Sequence, residues 1–242
     1  QILEMIGKST KLVKQKYKAL VIYNEGSNFS VGANLGLLLF AANIAAWGQV
    51  EEMIEAGQNA YKGLKFAPFP VVSAPSGMAL GGGCEVLLHS DAIQAHAETY
   101  TGLVEVGVGV IPGWGGCKEM LLRWFNNPKR PGGLLPPVVK VFEMISTAQV
   151  AKSAQEAQSS LILRQGDGIT MNRDRLLADA KAKALSMVDG YEAPEEQEIS
   201  LPGGTAKTAM EMAVKDFRQM GRATPHDEVV SLALADVLSG GD

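Results

Sequence analysis

The chain has 242 residues, of which 46% are hydrophobic and 20% charged, with a formal net charge of -4. That length buries a full core in one large domain, or in one domain plus a helical appendage, and the second is expected. The mild acidity gives nucleic acid no electrostatic footing, and no apolar run reaches the ~18 residues that a membrane span needs, so neither partner is expected. Two cysteines, Cys84 and Cys117, lie beside glycines and are expected to be small reduced side chains. The sequence opens on Gln1 rather than Met, so a fragment is expected and the lack of a targeting signal carries no weight.

Ile2, Ile6, Val13 and Tyr17 approximate a helical stripe in a lysine-rich segment, and Ala19 to Tyr23 follow as a short buried strand. Asn24 to Gly32 have loop chemistry, and Ala33-Asn34-Leu35 lead into an apolar helix through Ala46. A clearer helix carries Val50, Met53, Ile54, Gly57, Tyr61 and Leu64 on one stripe and ends before Pro68 and Pro70. Val71 to Ala74 read as a strand, Gly81-Gly82-Gly83 as a turn, and Cys84 to His89 as the helix that turn opens. Asp91 to Ala95 form a third candidate strand. The segment from Thr99 to Glu105, a second glycine turn at Gly107 to Gly116 and a helix from Cys117 to Phe125 complete this half. Strands alternating with helices and glycine turns predict an α/β fold.

Beyond Asn126 the run P-K-R-P-G-G-L-L-P-P reads as a connector, and a core at 1–125 is expected to give way to a helical region at 126–242. Helices are predicted over 148–160, 173–188 and 205–220, with a surface loop from Arg164 to Asn172. The acidic stretch from Glu192 to Gly204 reads as a solvated linker. Thr224 as N-cap and Pro225 at the first helical position start a last helix, and Gly240 is a plausible stop.

The stretch from Ser73 to Gly116 holds two glycine turns, each tied to one glutamate, Glu85 and Glu105. At the first turn, Leu80-Gly81-Gly82-Gly83-Cys84-Glu85, side chains are absent, and backbone N–H groups can approach a ligand oxygen. Such donors stabilise developing negative charge, and tight helix–sheet packing would explain the same glycines equally well. A fold that brings both carboxylates to one pocket would give an acid/base pair beside those donors.

Three blocks, F-S-V-G-A-N-L at 29–35, A-L-G-G-G-C-E at 79–85 and G-L-V-E-V-G-V-G-V-I-P-G-W-G-G at 102–116, resemble the signature blocks of the crotonase (enoyl-CoA hydratase/isomerase) family, in the family's order. The resemblance implies a spiral of repeated ββα turns followed by C-terminal helices. It further implies a coenzyme A thioester as substrate, with no covalently bound cofactor, and a bacterial cytoplasmic location. In the family two backbone N–H groups hold the thioester carbonyl, and the matching positions are Ala33 and Gly82. Glu85 and Glu105 match the two glutamates of the hydratase branch, 20 residues apart. Gly32, Gly81, Gly113 and Trp114 are the accompanying candidates for substrate contact, although a buried aromatic with a satisfied N–H is the simpler account of Trp114.

The implied reaction is syn hydration of a trans-2-enoyl-CoA, with Glu85 as base and Glu105 as acid; the first turn of a helix favours an ionised Glu85. Asn34 stands where many members have Asp, and Val104 where many have Pro. The family's first strand pair precedes the point where this sequence starts. The ends look like the section that follows a 3-hydroxyacyl-CoA dehydrogenase in some bacterial bifunctional proteins, so NAD is expected only in such a preceding segment. A trimer-type homo-oligomer and an intramolecular dehydrogenase domain are both compatible with the family.

Other chemistries have less to stand on. G-V-G-V-I-P-G at 107–113 departs from the dinucleotide fingerprint at Pro112. The three histidines, His89, His96 and His226, offer no triad and no metal spacing with the cysteines. The competing readings are a Δ3,Δ2-enoyl-CoA isomerase, which would need only the glutamate at position 105, and a non-catalytic acyl-CoA-binding or assembly module.

Overall fold

The computed structural model describes residues 1–241. Helix α1 (Ile2–Lys16) buries Ile6 and Val13, and strand β1 (Leu20–Tyr23) follows. Helix α2 (Leu35–Asn43) is capped by the Asn34 side chain, which accepts from the Gly36 and Leu37 N–H groups. Helix α3 (Trp47–Lys65) buries Gly57, Tyr61 and Leu64, the C-terminal part of its sequence stripe. Next come β2 (Val71–Ala74), β3 (Met78–Leu80), α4 (Gly82–Leu88), β4 (Ala92–His96) and β5 (Tyr100–Gly102). A short 3-10 helix (Glu105–Val108) leads to α5 (Gly116–Phe125), α6 (Leu135–Ser146) and α7 (Ala154–Ser159). The chain ends with β6 (Gly168–Thr170), α8 (Leu176–Ser186), α9 (Gly204–Gln219) and α10 (Pro225–Ser239).

The chain divides into two compact units, each discontinuous in sequence. The first takes residues 1–101, 113–115 and 151–195, and its centre is a parallel sheet in the order β1-β2-β4-β6. Leu20 pairs with Val71, Val72 with Ala92 and Gln94 with Gly168. Parallel strands need crossovers, and their helices cover the sheet, so β2 reads as a wholly buried V-V-S-A. On one face Val72, Ala74 and Ala92 pack against Leu176, Ala180 and Ala184 of α8, and the alanines allow helix and sheet to approach closely. β3 and β5 form a separate two-stranded sheet.

The second unit takes residues 102–112, 116–150 and 196–242, and its described part is helical. Here α6 corrects the expected proline connector. Its prolines, Pro136 and Pro137, fall in the first helical turn, where a missing N–H costs no hydrogen bond, and Val138, Val141, Phe142 and Ile145 form its buried stripe. Two corrections fall in the first unit. The segment expected as a helix over 148–160 is helical only from Ala154, because Ala151 bridges Thr101 as an isolated antiparallel pair. The expected surface loop from Arg164 to Asn172 contains β6. Its register on β4 is tied by Asp167, which accepts from the Ile93 N–H at 2.8 Å and the Arg164 N–H at 2.6 Å.

The last helix is set by local chemistry. Thr224 and Asp227 form a reciprocal capping box: the Thr224 N–H donates to Asp227 Oδ2 at 2.8 Å, and the Asp227 N–H to Thr224 Oγ1 at 3.2 Å. Gly240 closes the helix at φ +90. Hydrogen bonds from the Thr224 backbone, then from its side chain, hold the Asp227 carboxyl below its ordinary value. The folded state therefore favours the ionised form, and its contribution is complete above the unfolded carboxylate range of about 3.9 and lost as the pH falls through the lower folded value. Thr224→Ala is expected to cost about 1 kcal/mol in urea unfolding at neutral pH. Asp227→Asn is expected to flatten the acid side of the stability–pH curve, which the same titration repeated between pH 7 and pH 3 reads directly.

Candidate active site

The site of the first unit lies beyond the C-terminal ends of β1 and β2, where the chain leaves Tyr23 and Ala74 for loops. The segment after β1 is drawn against β3: the Phe29 N–H donates to Ser76 O at 2.9 Å, the Ser30 N–H to Met78 O at 3.0 Å and the Leu80 N–H to Ser30 O at 2.9 Å. This ladder carries Gly32 and Ala33 to the start of α4. A β-carbon on Gly32, whose φ is +91, would lie 3.2 Å from the Gly82 nitrogen. Ala33 is half-buried beside it.

Each glycine of the first turn has its own reason. Gly81 caps α4 at φ 56 and ψ -125, a conformation that side chains disfavour. A β-carbon on Gly82 would lie 2.8 Å from Trp114 Cζ3, and one on Gly83 would run into the Ser30 carbonyl. The turn is thus a close-packing device, and all three of its glycines are buried. Helix α4 begins at Gly82 rather than at Cys84, so Glu85 falls in its first turn, as the sequence placed it.

Glu85 is 2% exposed, and its Oε1 accepts the Trp114 backbone N–H at 2.9 Å. The Trp114 indole covers Gly82 and lies over Gly57, where a β-carbon would collide with it. Gly113, just before it, accepts from Gln58 Nε2 of α3 at 2.9 Å. Tyr61, also on α3, donates its hydroxyl to Gly82 O at 2.9 Å and meets the Trp114 ring edge-on, with centroids 5.4 Å apart and planes at 79°. The His89 ring also packs against Tyr61, with centroids 5.6 Å apart, and His89 Nδ1 lies 2.7 Å from Glu85 O. Gly32, Ala33, Gly81, Gly82, Glu85, Gly113 and Trp114 therefore belong to one unit. Glu105 belongs to the other, where it starts the 3-10 helix and is half-buried.

Sequence reasoning missed Tyr61 and His89 as members of this cluster. Tyr61 counted only as one apolar position of a stripe; its hydroxyl was the signal that a buried partner is required. Helix α2, which starts two residues after Ala33, exposes Leu35, Leu37, Leu39 and Phe40, followed by Ile44 and Trp47. Cys84 and Cys117 are both buried thiols. Among the described residues no cluster of three or more His, Cys, Asp or Glu could hold a metal ion, and no helix is long and apolar enough to cross a membrane.

In this parallel α/β unit a glycine turn opens a helix onto a buried carboxylate. Residues 3–125 match the family described as enoyl-CoA hydratase/isomerase, and the chain belongs to that family. Among curated relatives, a probable 3-hydroxyacyl-CoA dehydrogenase of Bacillus subtilis is 40% identical over 241 residues, covering 99% of this chain and 30% of the relative. A putative fatty acid oxidation complex trifunctional enzyme of Rickettsia felis is 37% identical over 171 residues, covering 70% of this chain and 22% of the relative. The chain thus spans less than a third of these relatives' length. Of solved structures, an enoyl-CoA hydratase from Bacillus anthracis aligns with a TM-score of 0.62 at 20% identity, over 98% of this chain and 79% of that one. One from a Polaromonas species gives 0.63 at 17% identity, over 97% and 79%. The fold is the crotonase fold that the signature blocks imply.

The slot for the Trp114 ring is testable by itself. Gly57→Ala puts a methyl group where the indole lies, and overpacking of this kind costs about 1–3 kcal/mol. Lower stability in denaturant together with an altered near-ultraviolet tryptophan signal is the expected outcome.

Proposed function

We propose that this chain is an enoyl-CoA hydratase that adds water across the double bond of a trans-2-enoyl-CoA. The observation that carries the reading is the buried Glu85 carboxylate, held by the Trp114 N–H one helical turn from the Gly82 N–H, with Gly32–Ala33 packed beside it. In this reading the Ala33 and Gly82 N–H groups receive the thioester oxygen as it gains enolate character, and one such donor is worth about 2.7–4 kcal/mol in the transition state. Glu85 takes a proton from water as the water oxygen bonds to Cβ. The π electrons move toward the thioester carbonyl, and Glu105 delivers a proton to Cα as that carbonyl re-forms. The start of α4 and the Trp114 N–H both present positive partial charge to Glu85, which suits the base. The role of Glu105 rests on its place in the third signature block. The apolar surface of α2, which begins just past Ala33, offers the acyl chain a place to lie.

We further infer that the segment works within a longer protein of fatty-acid oxidation, beside a 3-hydroxyacyl-CoA dehydrogenase section that would hold NAD. The printed names of the two curated relatives support this, and a trimer-type assembly of such proteins is compatible with it. Hydration would supply the 3-hydroxyacyl thioester that a dehydrogenase section consumes.

The test is loss of the conjugated absorbance of crotonyl-CoA on addition of the protein. Glu85→Gln and Glu105→Gln are each expected to lower kcat by about 10²–10⁴-fold with little change in KM, the range for removal of a general acid or base. Full hydratase activity in either variant would remove that residue from the mechanism. Saturable binding of crotonyl-CoA without turnover by the unsubstituted protein would favour a binding module. Conversion of a 3-enoyl-CoA that survives Glu85→Gln and not Glu105→Gln would favour an isomerase.

A further inference from the structure

We propose that Tyr61 is a positioning residue for this reaction, fixing through its hydroxyl and its ring the residue that carries the oxyanion donor and the frame that carries the base. The proposal rests on the reading of Gly82 and Glu85 given above. Tyr61 lies on α3, outside the signature blocks, and is 4% exposed.

A phenylalanine would fill most of the same volume, so the hydroxyl needs its own explanation. It donates to Gly82 O at 2.9 Å in a buried setting. Gly82 has no side chain to restrain it, and glycine is the residue with most backbone freedom to lose. A bond to its carbonyl limits rotation about ψ, and with it the placement of the same residue's N–H relative to the following helix. Backbone donors assist catalysis only when they are already aimed at the place where charge develops.

The ring does the second half of the task. It packs in a T-shaped contact with Trp114, whose backbone N–H binds Glu85 Oε1 and whose indole covers Gly82. The ring also packs against His89, which contacts the Glu85 carbonyl through Nδ1. Every neighbour named here is tied to Gly82 or to Glu85. One side chain therefore keeps the donor and the carboxylate in a common frame without touching the substrate.

Tyr61→Phe tests the hydroxyl while keeping the ring. Turnover of crotonyl-CoA is measured together with the vibrational frequency of the isotopically labelled thioester carbonyl in the bound state, which drops when backbone donors polarise it. The expected result is a kcat lower by about tenfold, the effect of one net hydrogen bond, with KM within about twofold and a smaller carbonyl downshift. An unchanged kcat and downshift would overturn the proposal, as would a fall in kcat with the downshift intact. Glu85→Gln serves as the reference, since it should lower kcat by about 10²–10⁴-fold while leaving the downshift in place. If the unsubstituted protein shows no downshift, the oxyanion reading fails and the proposal with it; failure of Tyr61 alone appears only in its variant. Should Tyr61→Phe unfold at assay temperature, site-specific Tyr61→3-fluorotyrosine keeps the fold and makes the hydroxyl a stronger donor. A downshift equal to or larger than normal then supports the proposal, and a smaller one overturns it.

Discussion

The approach of the Ser30 carbonyl to Gly83 leaves no space for a β-carbon, and the rest of the site is built on that closeness. Because the segment at 29–33 can lie directly on the start of α4, two stretches distant in sequence present backbone to one place. The Gly82 N–H is a donor that α4 cannot satisfy from within, since the first N–H groups of any helix lack intrahelical acceptors. The Gly32 contact brings a second stretch of backbone beside it. A side chain at position 82 or 83 would push these apart, and the ladder from Ser30 to Met78 and Leu80 would have to break or slide.

Much of this was legible because it is local. The capping box and Gly240 mark α10 by residue type alone, and β1 and β2 announce themselves as short, mostly apolar runs, L-V-I-Y and V-V-S-A. The glycine turn and Glu85 were equally plain, and the tight packing is seen directly: Gly83 lies against Ser30, and Gly82 against both Trp114 and the Gly32 segment. Helix α6 was hidden by its own prolines, which resemble a connector until one sees that they occupy the first turn. Strand β6 is three residues long, and only its partner β4 and the Asp167 side chain make it a strand.

The least legible feature is the contact that holds Glu85. Trp114 drew notice for its indole, whereas its contact with Glu85 is made by the main-chain N–H, which every residue but proline possesses. No residue type announces such a bond. Likewise, Gly57 looked like a small member of an apolar stripe, yet its smallness makes room for an aromatic ring from a turn more than fifty residues away. Sequence patterns report what a residue is, while this cluster depends on what certain residues lack.

A buried tyrosine hydroxyl, a main-chain N–H and a histidine ring nitrogen together surround one turn of helix. Unsatisfied, any of them would cost about 1–3 kcal/mol, so the arrangement is sensitive to the loss of a single partner. That sensitivity is also its use. Polar groups that must be matched in pairs admit few alternative packings, whereas an all-apolar contact of the same size tolerates sliding by fractions of an ångström. For the proposed site, whose donors would be backbone atoms that no rotamer change can re-aim, restricting the backbone is the direct way to hold geometry, and α3 contributes the Tyr61 bond to Gly82 from outside the signature blocks.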